Sequence, residues 1–97
     1  MKTLCIYGCG GQGKDLAELA IKIGRWDEIV FVDDKPKANT VDGIRVYKLN
    51  TLLNERLVEN IEFTISIGEP FIRKEKYELL KKQNFGFAFL IGTNVYT

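Results

Sequence analysis

Thr3-Leu4-Cys5-Ile6-Tyr7-Gly8-Cys9-Gly10-Gly11-Gln12-Gly13 decides the fold. Thr3 to Tyr7 is a short apolar run, and Gly8 ends it, which is the pattern of a buried strand. The glycines then fall at Gly8, Gly10 and Gly13 with no linker before the next element. Leu16, Leu19, Ala20 and Ile23 follow at helical spacing, and Gly24 stops the helix. Glu28 to Val32 is a second apolar run, closed by Asp33-Asp34. Strand, glycine turn, helix and strand in so short a span make a βαβ unit, whose crossover is right-handed.

The rest of the chain continues the alternation. Lys35 to Asn39 reads as a surface loop, Val41-Asp42-Gly43-Ile44 as a turn, and Arg45-Val46-Tyr47 as a short edge strand. Leu49 to Leu57 holds a short helix, and Glu62 to Ile67 a third good strand. Pro70 suits the first position of a helix running to about Gln83, with Ile72, Leu79 and Leu80 expected inward. Phe87 to Ile91 is a final strand, and Gly92 to Thr97 looks like loop. The expectation is an α/β fold: a small Rossmann-like, doubly wound parallel sheet of about four to five strands with helices on both faces, residues 1–97 forming one domain.

Composition narrows the function. Fourteen Lys and Arg against thirteen Asp and Glu leave a net charge of +1, too balanced for a nucleic-acid backbone binder. The Pro70–Asn84 helix carries five basic and two acidic residues and reads as a solvated face. No apolar run reaches the ~20 residues of a membrane span. The opening residues do not form a secretory signal, so a reducing cytoplasm is the expected location for Cys5 and Cys9. With no histidine and two cysteines, the chain offers neither the commonest general base nor a soft metal-ligand set. Ser66 has no base beside it in sequence. The sequence therefore specifies a binding site, with no catalytic residue and no metal.

Ligands of doubly wound sheets bind beyond the carboxyl ends of the strands. In the glycine turn, Gly8 permits a tight exit from the strand, Gly10 admits a ligand to the backbone, and Gly13 lets the helix pack close. Free amides and the dipole at the helix start favour an anion, typically a diphosphate. Asp33 and Asp34 stand where a carboxylate accepts hydrogen bonds from a ribose or base; the alternative is a solvated pair before a turn. Two adjacent acids do not easily face one ligand, so one of them is free to cap the following loop. Lys14 either reaches a phosphate or remains a surface lysine, and Gln12 can bond a sugar without acting as a base. Gly68 allows the third strand to end close to a ligand. Glu69 either reads a sugar hydroxyl or, as the preferred reading, favours the helix start electrostatically.

Four stretches resemble, in order and spacing, the N-terminal domain of the bacterial sugar O- and N-acyltransferases typified by sialic acid O-acetyltransferase (NeuD) and the PglD-type acetyltransferases. They are Ile6-Tyr7-Gly8-Cys9-Gly10-Gly11-Gln12-Gly13-Lys14, Phe31-Val32-Asp33-Asp34, Ile65-Ser66-Ile67-Gly68 with Ile72-Arg73-Lys74, and Phe85-Gly86-Phe87-Ala88-Phe89-Leu90-Ile91. The resemblance implies glycan biosynthesis and an acceptor-binding domain for a nucleotide-sugar, often UDP-linked. Gly10, Gly11 and Gln12 then take the substrate loop, Asp33 and Asp34 the nucleoside-reading positions, and Gly68 the closing glycine of strand three. In that family a C-terminal left-handed β-helix binds acetyl-CoA, forms the homotrimer and carries the catalytic histidine. Two departures stand out: the family's loop histidine is Gln12 here, and its usual Ile-His-Pro after the last strand is Ile91-Gly92-Thr93. No hexapeptide repeat occurs in these residues, so no cofactor is expected in this chain and it is expected to be inactive alone. A piece of a longer transferase and a stand-alone binding domain both fit the sequence. The competing reading is an NAD- or dinucleotide-binding regulatory module, which shares the glycine turn and the acid after strand two.

Overall fold

In the computed structural model the backbone is described for residues 2–55, 60–91 and 94–96, with side chains through residue 88. The strands are β1 (Thr3–Tyr7), β2 (Glu28–Val32), β3 (Thr40–Val41), β4 (Ile44–Tyr47), β5 (Ile61–Ile65), β6 (Gly86–Phe87), β7 (Phe89–Ile91) and β8 (Asn94–Tyr96). The helices are α1 (Gly11–Ile23), α2 (Leu49–Glu55) and α3 (Pro70–Lys82). Six strands form one sheet in the order β3-β4-β2-β1-β5-β6, and β7 and β8 form a separate antiparallel pair. Only the β3–β4 pairing in the large sheet is antiparallel.

The central strand explains the architecture. All five residues of β1 are buried, as a parallel strand covered on both faces requires. Leu4 and Ile6 pack on one face with Ala17 and Ala20 of α1 and with Phe31. Cys5 and Tyr7 pack on the other with Val30, Val32, Phe63, Leu52 of α2 and Leu80 of α3. The Phe63 ring lies 6.3 Å from Tyr7 and 5.0 Å, edge-on, from Phe85. β1 pairs with β2 on one side and with β5 on the other, so the order of the strands reverses there. That reversal opens a crevice at the carboxyl end of β1, the place where such sheets take ligands.

The fold class is the expected one, with a richer sheet than the four to five parallel strands anticipated. Asp42 and Gly43 both have positive φ, 51° and 78°, the combination that turns two antiparallel strands tightly. The Val41–Ile44 turn therefore builds a hairpin, and β3 adds an antiparallel edge. The last strand also differs. β6 ends at Phe87, the buried Ala88 donates its N–H to the Phe63 carbonyl at 2.9 Å, and the chain then pairs β7 with β8. Asn94–Tyr96 is thus strand rather than loop. The end of the expected 49–57 helix, beyond residue 55, lies outside the described residues.

α3 turns a different face inward from the one anticipated. Leu80 is buried, but Ile72 and Leu79 are 45% and 39% exposed. Lys76 occupies the inward phase because Asp34 neutralises it: Nζ sits 2.7 Å from Asp34 Oδ2 and 5.6 Å from the centroid of the Tyr7 ring. Tyr77 packs beside it, its ring 4.7 Å from that of Phe87. Trp26, unremarked in the sequence, is buried and donates from Nε1 to Glu62 Oε1 at 2.8 Å, tying the end of α1 to β5. Among the described residues no helix is long and apolar enough to cross a membrane.

The close approach of Gly13 to the Gly8 carbonyl makes a prediction. A Cβ built on Gly13 would lie 2.3 Å from the Gly8 carbonyl oxygen, whereas one on Gly11 meets nothing within 4 Å. Gly13→Ala should therefore destabilise the domain by about 1–3 kcal/mol through overpacking, while Gly11→Ala should be neutral or stabilise by up to about 1 kcal/mol. Urea unfolding of the two variants beside the parent measures the difference; equal midpoints would contradict the contact.

Candidate functional site

The carboxyl end of β1 is shaped by backbone chemistry. Gly8 has φ of +108°, a region that L side chains rarely adopt, and its N–H donates to the Val32 carbonyl at 2.8 Å. The chain then turns through Cys9 to Gly10, and α1 starts at Gly11, slightly earlier than the sequence suggested. Gly10 supplies no side-chain cap and the first turn has no acid. The first bond within α1 is that of Lys14 N–H to the Gly10 carbonyl at 3.0 Å. The amides of Gly11, Gln12 and Gly13 precede it and have no partner within the helix, as at any helix start. The positive end of the helix dipole thus faces the crevice with no carboxylate of its own to answer it.

The glycines divide into two kinds. Gly8 and Gly13 are demanded by the fold, since a Cβ at either would strike Ser66 Oγ or the Gly8 carbonyl. Gly10, Gly11 and Gly68 have open space where a Cβ would stand. Packing does not explain those three, and they leave bare backbone accessible to a ligand. Ser66 is the residue that sequence reasoning missed here. Its buried hydroxyl lies 2.8 Å from the Gly8 carbonyl and 3.1 Å from the Tyr7 carbonyl, and its N–H donates to the Tyr7 carbonyl at 2.9 Å. The one hydroxyl proton is shared between two carbonyls, and it holds the turn rather than entering chemistry.

The two acids after β2 separate. Asp33 Oδ2 accepts from Cys9 Sγ at 3.2 Å and Oδ1 from the Lys35 N–H at 2.9 Å. Asp34 points toward α3: Oδ1 accepts from the Tyr7 hydroxyl at 2.5 Å and Oδ2 meets Lys76. The Lys76 and Tyr7 bonds hold the Asp34 carboxyl below the usual carboxylate range. Burial first, then the Asp34 bond, pushes the Tyr7 phenol upward. Burial, followed by the Asp33 bond and charge, likewise raises the Cys9 thiol, which stays protonated and donates.

A cavity of about 420 Å³ lies at this end of the sheet, lined by Cys9, Gly10, Lys14, Asp33, Lys35, Lys37, Ala38 and Val41. Of the ten residues proposed from sequence, Gly10, Lys14 and Asp33 line it. Gly8 and Gly13 shape the turn, and Gly11 and Gln12 stand exposed on the first turn of α1. Gly68 lies past the exit of β5, next to Ile67, which abuts Gly8, and is outside the lining of this cavity. Glu69 is accounted for by α3: its carboxylate oxygens accept from the Phe71 and Ile72 amides at 3.1 and 2.8 Å, capping the helix. Lys35 and Lys37, read from the sequence as surface loop, line the cavity, and no local sequence signal set them apart from solvated lysines.

This is a Rossmann-like α/β domain whose glycine turn carries uncapped amides and whose Gly10 and Lys14 border a cavity on the β2 side of β1. The chain belongs to the PglD N-terminal domain family, whose model matches residues 3–80. It is also similar to the acetyltransferase domain of PglB from Neisseria gonorrhoeae FA1090, solved in complex with acetyl coenzyme A. That likeness has 36% identity and a TM-score of 0.76, and covers 87% of this chain and 40% of that one. The same PglB domain solved separately gives 35% identity and a TM-score of 0.75 over 88% of this chain and 42% of that one. The chain thus spans about two-fifths of the length of those acetyltransferase domains. No curated protein matches it.

The Asp34 cluster has a pH signature. A carboxyl whose pKa is lower in the folded than in the unfolded state stabilises the fold above the unfolded value, and that contribution is lost as pH falls through the folded value. Stability of the parent should therefore decline below about pH 5, and Asp34→Asn should flatten that acid limb while lowering stability at pH 7. Thermal unfolding from pH 7 to pH 3 checks it; parallel curves would contradict the role of Asp34.

Proposed function

We propose that this domain binds the acceptor of a sugar acetyltransferase, a nucleotide-linked sugar whose diphosphate rests on the Gly10–Gly13 turn. The observation that carries the reading is the pairing of unexplained bare backbone at Gly10 and Gly11 with uncapped amides at the start of α1, beside a cavity holding Lys14, Lys35 and Lys37. An anion on a helix start gains about 0.3–1 kcal/mol, up to about 2 kcal/mol when partly buried, and lysines nearby add attraction. Asp33, facing the same cavity, supplies an acceptor for ribose or sugar hydroxyls. Its bond from the Cys9 thiol is weak and can be exchanged for a ligand hydroxyl. The UDP-linked form of the ligand, a cytoplasmic setting and a part in glycan assembly come to this chain from the family likeness.

Acetyl transfer itself is assigned to a further domain. The reaction needs a base poised to take a proton from the acceptor amine or hydroxyl. The chain has no histidine, and its one thiol near the turn is held protonated. Acetyl-CoA would be held by a β-helix domain in the complete enzyme, and a trimer would depend on that domain too.

Two outcomes follow. UDP or a UDP-sugar should raise the Tm of the domain more than NAD at equal millimolar concentration, since stabilisation grows with ligand over its Kd. Gly10→Val should abolish that shift while keeping the parent Tm in the absence of ligand, because a side chain at Gly10 meets no protein atom within 4 Å. Greater protection by NAD would favour the dinucleotide reading. An unimpaired UDP shift in the variant would remove the ligand from this turn. Second, residues 1–97 incubated with acetyl-CoA and amino or hydroxyl sugars should form no acetylated sugar at enzymic rates, measured by free thiol release. Turnover would mean that a catalytic group resides in this chain.

A further inference from the structure

The loop from Lys35 to Asn39 has a cavity on each side. Lys35, Lys37 and Ala38 face the one beside the glycine turn. On the other side Asn39, Thr40, Arg45, Tyr47, Lys48 and Thr51 line a cavity of about 470 Å³ at the carboxyl end of β4. The loop between them is fixed at both ends: the Asp33 N–H donates to the Tyr47 carbonyl at 2.9 Å, and the Val46 N–H to the Asn39 carbonyl at 2.8 Å.

The charge of this second cavity is one-sided. It holds Arg45 and Lys48 and no acid in its lining. Lys2 pairs with Glu62 and Lys76 with Asp34 in other parts of the fold. Among the described residues no carboxylate comes within ion-pair distance of Arg45 or Lys48. Arg45 is also held in place, its guanidinium carbon 4.5 Å from the centroid of the Tyr47 ring. Tyr47 is only 4% exposed, so the ring is a fixed platform. A guanidinium stacked on an immobile ring keeps its edge donors available and loses little freedom on binding. Lys48 adds a point charge. Thr40, Thr51 and Asn39 contribute neutral groups able to bond oxygen.

We infer that this cavity is a second anion site, separate from the glycine turn, that takes a phosphate or carboxylate group of a small molecule in the fork of Arg45 with Lys48 beside it. The inference does not rest on the nucleotide-sugar reading, since none of the six residues belongs to the glycine turn. Bidentate pairing of a planar oxyanion with arginine is what the stacked guanidinium offers, and a lysine in its place would not reproduce it. Phosphate and citrate share this chemistry, and separate titrations tell which class the site prefers.

The test is a ¹⁵N–¹H titration of the 97-residue chain with inorganic phosphate, with citrate, and with sodium chloride at matched ionic strength. Phosphate or citrate should shift Thr40, Arg45, Lys48 and Thr51 saturably, and chloride should not. Arg45→Gln should weaken that binding at least about tenfold, and Arg45→Lys should recover only part of it. Lys48→Gln serves as a second variant should the first fold poorly. UDP shifts at Gly11–Gly13, followed in the same variants, should keep their midpoint, which separates failure of this site from failure of the nucleotide reading. The inference is overturned if chloride reproduces the shifts, if oxyanions move only the glycine turn, or if both variants bind as the parent does.

Discussion

The structure beyond β1 depends on a single backbone contact, the Gly8 carbonyl lying against the Cα of Gly13. Only when α1 starts that close to the strand it follows do the amides of Gly11 to Gly13 lie at the carboxyl end of β1, free of partners within the helix. The contact needs glycine at both ends: at Gly8 for its φ of +108°, and at Gly13 because a methyl group would sit 2.3 Å from a carbonyl oxygen. Ser66, one residue past the end of β5, reinforces it, so the far side of the switch point holds the turn on the near side. The turn is therefore a property of three neighbouring strands rather than of a local motif.

Around that turn, charge is distributed by the phase of β1 and the exit of β2. Tyr7 faces α3 and draws Asp34 with it, so that one acid becomes a tie between β1, the β2 exit and Lys76. Its neighbour Asp33, one residue earlier and hence on the opposite side, is left to the cavity with Cys9 and Gly10. A ligand on the turn thus meets one carboxylate and three lysines, a balance suited to an anion that also carries hydroxyls.

Most of this was legible in the sequence where backbone constraints are strong. β1, α1, β2 and the Gly24 stop follow from glycine spacing and apolar periodicity, and the tight exit at Gly8 and the close packing at Gly13 follow from what each lacks. Residues that act across long sequence distances were not legible. Lys76 turns inward only because Asp34, brought by another element, compensates its charge, and Ile72 and Leu79 are displaced outward as a result. Ser66 and Trp26 find partners 58 and 36 residues away, which no local pattern records. The β3–β4 hairpin was half visible: Asp42-Gly43 announces the turn, but two-residue β3 is too short to show a period. Glu69 was weighed correctly as a helix-start acid because capping is local. Lys35 and Lys37 were overlooked because loop lysines are ordinarily solvated, and only the fold shows that theirs bounds a cavity.

The central claim is that bare backbone at the start of α1 receives a diphosphate. A crystal structure of the domain with UDP tests it most directly. The account predicts diphosphate oxygens within hydrogen-bond distance, about 2.7–3.2 Å, of amides among Gly11, Gln12 and Gly13. Density for the diphosphate away from the turn, with those amides still open to solvent, would contradict it.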